Sequence, residues 1–242
     1  MKAKRRFNIW LWVLLCVPCL LASCDHNVHD GEDEGGLSVS LTWADEADQG
    51  TDVKDVKLWI FNADDGSLVE EKHYGSAQEV ASQRFALPEG HYQILAITNL
   101  IEPFFTTDQT PALTNWNNIQ IGLTNPKDVN HNAYFGVADV RIDNKEGNYV
   151  VQNPIKSVLA ELTIIIENVP KGTEMSGKAL DAAWCLFPTQ KNGDGDYGLP
   201  SIKPTEVEMP TILATESTLR SEVIRLMPTI QGSPASHVYL RL

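Results

Sequence analysis

The sequence predicts an all-β protein, and three observations carry that expectation. From Leu37 onward apolar residues recur with a period of two, the spacing of a half-buried strand. Asp65-Gly66 and Pro88-Glu89-Gly90 punctuate these runs with residues that favour chain reversal. No stretch presents a convincing apolar stripe at helical spacing.

Residues 1–23 follow a different logic. Lys2, Lys4, Arg5 and Arg6 form a basic start, and Phe7 to Leu21 make an apolar stretch of 15 residues broken only by Asn8 and Pro18. A spanning helix needs roughly 20 apolar residues, so this run is short for one and fits an export signal. Leu21, Ala22 and Ser23 then lead into Cys24. Small residues before a cysteine resemble the bacterial lipobox, which implies cleavage before Cys24 and acyl chains on its sulfur and new amino group. The competing readings are an ordinary secretory signal and an uncleaved helix. Each buried CH₂ contributes about 0.8 kcal/mol, so two or more chains hold a protein stably in a bilayer.

Residues 24–36 are expected to be a flexible tether. Asp25, Asp30, Glu32, Asp33 and Glu34 stand with three glycines, and so little apolar surface cannot offset the entropy of ordering. A short acidic run after such a cysteine resembles the outer-face display signal of Bacteroidetes lipoproteins; a solvated linker accounts for it as well. Removal of residues 1–23 takes away four positive charges and no negative one, so the formal net charge falls from −13 to −17. That balance excludes a basic nucleic-acid footprint.

The strands follow in order. Leu37, Val39, Leu41 and Trp43 alternate with Ser38, Ser40 and Thr42. Val56 to Asn62 is a second run, closed by Ala63-Asp64-Asp65-Gly66, whose Asp-Gly supplies a positive-φ hairpin turn; Ser67 to His73 should return antiparallel. Gln83 to Leu87 reads as a further strand, and His91 to Asn99 as a long central one with Tyr92, Ile94 and Ala96 on one face. Leu100 to Asn130, rich in Thr, Asn, Asp and Pro, reads as a long connection with room for a short helical turn. Tyr134 to Ile142 and Tyr149 to Val151 resume strand character.

Ser157 to Asn168 is expected to be the strongest strand, with Val158, Ala160, Leu162, Ile164 and Ile166 on one side, bounded by Pro154 and Pro170. A fresh apolar run after Pro154 places a domain boundary near Asn153, giving domains 37–153 and 154–242. Ala182 to Phe187, Glu222 to Met227 and His237 to Leu242 complete a smaller second β region.

Chemistry-bearing patterns are sparse. Cys16 and Cys19 leave with the signal and Cys24 takes lipid, so Cys185 remains alone, and its apolar neighbours make it a buried small hydrophobe. The sequence has no GxSxG elbow, and His26, His29, His73, His91, His131 and His237 are dispersed without zinc-ligand spacing. Asn192-Gly193-Asp194-Gly195-Asp196 is similar to the first half of a calcium loop. Tyr197 and Lys203 stand where Gly and Glu are required, so a hydrated turn is expected. The expectation is a non-enzymatic protein with no cofactor, no metal and no nucleic-acid partner.

Four stretches carry a family resemblance: Cys24-Asp25-His26; Val56-Lys57-Leu58-Trp59-Ile60-Phe61 leading into Asp65-Gly66-Ser67-Leu68-Val69; Leu87-Pro88-Glu89-Gly90-His91-Tyr92 leading into Asn99-Leu100; and the strand from Val158 to Ile166. In this order they resemble the Bacteroidetes fimbrillin-associated anchor and minor fimbrial subunit lipoproteins, over roughly residues 24 to 230. The resemblance implies two tandem transthyretin-like β-sandwich domains, the second small or incomplete. It also implies a surface-exposed place at the outer membrane, held there by lipid on Cys24, with other fimbrial subunits as partners by strand addition.

Such fibres grow by donor-strand exchange, in which a subunit loses its first strand to a protease and a neighbour's strand fills the groove. Stalk subunits of that family are cut after an arginine soon after the cysteine. Here no arginine lies between Cys24 and Arg84, which favours the base or anchor subunit over a stalk or tip subunit. The alternative is a glycan-binding surface lipoprotein of a polysaccharide-uptake system, with Trp116 and Phe105 as stacking candidates. The chain reads as shorter at its C-terminus than the family pattern, and Leu242 falls inside an expected strand. Either the second domain is short of strands or a partner provides one.

Overall fold

Four strands come first along the chain: β1 (Gly36–Trp43), β2 (Lys54–Asn62), β3 (Leu68–Ser76) and β4 (Gly90–Thr98), with helix α1 (Ala77–Ala81) between the last two. The short β5 (Phe104–Thr106) and β6 (Ile121–Leu123) precede β7 (Tyr134–Ile142) and β8 (Asn148–Ser157). Then come β9 (Ala160–Leu162), β10 (Ile165–Glu167), β11 (Glu174–Ala183), β12 (Cys185–Lys191) and β13 (Tyr197–Pro200). The last are β14 (Pro204–Leu213), β15 (Thr218–Arg220), β16 (Ile224–Leu226) and β17 (His237–Arg241). These belong to a computed structural model that describes residues 35–106, 115–127, 129–233 and 237–242. The expected signal, Leu21, Ala22, Ser23, Cys24 and nearly all of the tether lie outside the described residues. The fold is all-β, as the periodicity predicts.

The middle of the fold is the antiparallel set β7-β4-β2-β3, and both of its faces are buried. Trp59, Phe61, Leu95, Ile97 and Phe135 face one way, onto the sheet β13-β12-β6-β5, and form a core with Ile121 and Leu186. Leu58, Ile60, Tyr92, Ile94 and Ala96 face the other way. Over them lie Leu37 and Val39 of β1, Tyr149 and Val151 of β8, Val80 of α1, and Phe85 and Leu87. At about 25 cal/mol per Å² of apolar surface removed from water, this double burial is the main stabilising term.

One glycine lets β8 make this crossing. β8 pairs with β7 only at Tyr134↔Ser157 and Phe135↔Lys156, while residues 148–155 run parallel to β1. Where the two strands part, β8 passes close over Gly136 of β7. A Cβ there would lie 2.3 Å from the Asn153 amide oxygen and 2.7 Å from the Pro154 carbonyl oxygen. The fully buried Asn153 amide donates to the Ile94 carbonyl at 3.5 Å.

A third core sits beside β14-β11-β17 and includes Ile164, Met175, Ala179, Val207, Met209 and Leu219. It is flanked by the pairs β10-β15 and β16-β9. Ala183, at the end of β11, already belongs to the first core. The boundary expected near Asn153 falls inside β8, and β12 and β13 return from beyond it to cover the middle sheet.

Several expectations need correction. Gln83 to Leu87 is no strand: only Phe85 bridges to Leu37, after α1, whose Ser76 cap accepts from the Glu79 amide at 3.2 Å. Ser76 thus caps the helix while the Glu79 carboxylate accepts from the Gly75 amide at 2.7 Å, a helix start that the strand reading passed over. The connection Leu100 to Asn130 contains β5 and β6, held by pairing with each other and with β12. Pro154 does not bound a strand but lies within β8, on the run that pairs with β1 alone. Ser157 to Asn168 is not one strand; it breaks into β9 and β10, which pair with β16 and β15. β14 falls where no strand is expected.

Replacing Gly136 with Ala would force the added methyl into β8 backbone, so the variant should lose roughly 1–3 kcal/mol of stability. Urea denaturation of wild type and Gly136→Ala checks this, and an unchanged midpoint would show that β8 does not cross there as described.

Candidate functional site

Open strand edges are where a β protein meets other chains, because their backbone groups and flanking side chains lack a neighbour. Two edges here are blunted. β3 carries Glu70, Glu71 and Lys72 along its length. β14 carries Pro204 and Pro210, which cannot donate to a ladder, together with Glu206 and Glu208. The edge of β1 is bracketed by Phe85, whose amide donates to the Leu37 carbonyl at 2.9 Å and whose carbonyl accepts from the Leu37 amide at 3.0 Å.

β17 is different. It pairs with β11 on one side, from Ser176↔Arg241 to Leu180↔His237, and forms the free edge of its sheet. All five of its residues are exposed. Val238 and Leu240 are opposite Ala179 and Gly177, on the side of the third core, yet stay 40% and 43% exposed. Tyr239, on the other face, is 61% exposed. Gly177 lets β17 approach closely: a Cβ there would lie 2.6 Å from the Tyr239 carbonyl oxygen, 3.0 Å from Leu240 and 3.3 Å from the Met209 sulfur. A cavity of about 390 Å³ opens there. Half-exposed apolar residues continuous with a buried core mark a surface suited to an added extended segment.

A second concavity, about 510 Å³, lies at the Tyr134 end of β7 and is lined by Asp48, Asp52, Asn99, Tyr134, Glu161 and Arg225 among others. Most of its charges are paired: Asp52 with Lys54 at 2.7 Å and Glu161 with Arg225 at 2.9 Å. Burial first, then Asp45 and Glu161 nearby, push the Asp48 carboxyl above its ordinary value, against a hydrogen bond from Tyr134.

The structure corrects the glycan-stacking candidates. Trp116 is only 7% exposed and packs edge-on against Phe61, with ring centroids 5.3 Å apart, so it belongs to the core. The Phe105 ring is half-buried and covers Gly122. Exposed aromatics stand at Trp184 and Tyr239, which sequence reasoning missed because alternation does not say which face is covered. Cys185 is buried and free, as expected, with its thiol pushed up by burial. Asn192 folds the expected turn, its side-chain oxygen accepting from the Asp194 and Asp196 amides at 3.0 Å each. His73, His91 and His237 each face an aspartate. Among the described residues no cluster of three or more His, Cys, Asp or Glu could hold a metal, and no helix is long and apolar enough to cross a membrane.

A family model described as fimbrillin-A associated anchor proteins Mfa1 and Mfa2 matches residues 24–239. No curated protein matches. Among solved structures, the fimbrial anchor protein Mfa2 from Porphyromonas gingivalis superposes with a TM-score of 0.60 at 13% identity, covering 85% of this chain and 76% of that one. A candidate adhesin from Bacteroides thetaiotaomicron gives 0.60 at 14% identity, covering 86% and 75%. A candidate polysaccharide-binding protein from the same organism gives 0.55 at 12% identity, covering 86% and 76%. At these identities the likeness is one of fold.

The acidic concavity makes a measurable demand. A folded-state pKa raised above the unfolded value means that stability falls as pH rises from the ordinary aspartate range through the raised value. Asp48→Asn should therefore be more stable than wild type at pH 7, with the difference disappearing below about pH 3.8. Urea denaturation at both pH values checks it, and a variant less stable at neutral pH would refute the assignment.

Proposed function

The chain belongs to the family of fimbrillin-A associated anchor proteins Mfa1 and Mfa2, and from that membership we propose that it is the base subunit of a fimbria, held in the outer membrane by lipid on Cys24. A fimbrial, adhesin-like role at the cell envelope, in association with other fimbrial subunits, follows from the family. The role as base, the lipid and the mode of joining are this proposal.

The observation that carries it is the contrast between the two ends of the described fold. β1 fills its own groove: its eight residues are in register with β8, Leu37 and Val39 are fully buried, and the Arg84 guanidinium donates to the Ser38 hydroxyl. The first arginine after Cys24 is Arg84 itself, beyond β1, β2 and β3. A cut there would strip Trp59 and Phe61 from the first core along with the tether. This supports a subunit that keeps its first strand and its lipid. β17, by contrast, is an open edge with Val238 and Leu240 half-exposed on its core side, which supports joining by strand addition there.

The start of β1 and the chain's entry to the third core lie at opposite ends of β7. Gly36 pairs with Asn148 beside the turn that joins β7 to β8. The chain reaches the third core only after Ser157, next to Tyr134 at the other end of β7. Nine strand residues separate these ends, roughly 30 Å.

Deleting the gene should release fimbriae into the medium, and complementation with Cys24→Ser should fail to retain them on cells. Fractionation of fimbrial protein between cells and medium reads the outcome. Normal, cell-attached fimbriae in the deletion strain would end the proposal.

A further inference from the structure

The charges around β17 specify what kind of segment it takes, an inference that rests on the strand-addition reading above. On the polar face of this sheet nearly every ionic group already has a partner. Lys178 pairs with Glu206 at 3.2 Å, Lys127 pairs with Glu208, and His237 pairs with Asp181 at 2.7 Å. Arg241 and, on β11, the exposed Glu174 have none among the described residues. Arg241 stands opposite Ser176 on the edge strand, where an added strand would lie beside it. On the other face Val238 and Leu240 continue the third core outward without cover.

A strand laid beside β17 would place its side chains alternately on these two faces. We propose that the incoming partner is an extended segment with β-branched or aliphatic residues beside Val238 and Leu240 and an Asp or Glu on the opposite face beside Arg241. Cross-strand apolar contacts supply the affinity, and the carboxylate selects the partner and fixes its register, since a one-residue slip would exchange the faces. A lysine at that position would meet Arg241 as a like charge.

Two nine-residue peptides test this, alternating valine with threonine and differing only in whether the polar face carries glutamate or lysine. Binding to the purified chain is read by fluorescence anisotropy. The glutamate peptide should bind roughly two- to five-fold more tightly than the lysine peptide, and Arg241→Glu, a surface change, should reverse the order. Equal affinity of both peptides for wild type would overturn the charge rule while leaving strand addition standing. No binding of either peptide would overturn the rule together with the reading it rests on. Concentration-dependent dimerisation abolished by Val238→Asp would assign the edge to a second copy of the chain and likewise overturn it.

Discussion

The fold depends on β4 being buried on both faces. Leu95 and Ile97 need one covering layer, and Tyr92, Ile94 and Ala96 need another, so the chain must build a sheet on each side of β4 before it is stable. β5, β6, β12 and β13 supply the first layer, while β1, β8 and α1 supply the second. The crossing of β8 over Gly136, the parallel pairing of β1 and the return of the chain at Cys185 all serve that requirement. Among the described residues Cys185 is the single cysteine and is free, so packing rather than a disulfide holds these layers together.

The same requirement stops at β17. Among the described residues the β3 edge carries charge, the β14 edge carries charge and proline, and Phe85 brackets β1. At β17 the core-side residues Val238 and Leu240 face partly outward. Natural sheets avoid such edges unless something covers them. The contrast between a bracketed β1 and an open β17 gives these two edges of the described fold different character.

Much of this was legible in the residues, and the failures have physical causes. Asp65-Gly66 announced the hairpin, with Gly66 at φ 70°, and the alternating run at Tyr92 located β4. Pro154 misled because proline usually ends a strand, yet β8 is paired on one side only where Pro154 sits. The run from Ser157 to Asn168 has the alternation of one long strand but pairs with two separate partners, and partner identity is not a local property. β14 was hidden by its prolines and glutamates, the residues that blunt it as an edge. Trp116 looked like a surface aromatic because its neighbours are polar, while tertiary contact with Phe61 and Tyr197 buries it. The edge at β17 was readable as a strand but not as open, because exposure is decided by what lies across from it.

Hydrogen exchange of the purified chain, with and without a fimbrial subunit from the same organism, tests the central claim most directly. Slowed exchange of the β17 amides on adding the subunit, with the β3 and β14 edges unchanged, is the predicted result. Protection at β3 or β14 with β17 unaffected would contradict the account.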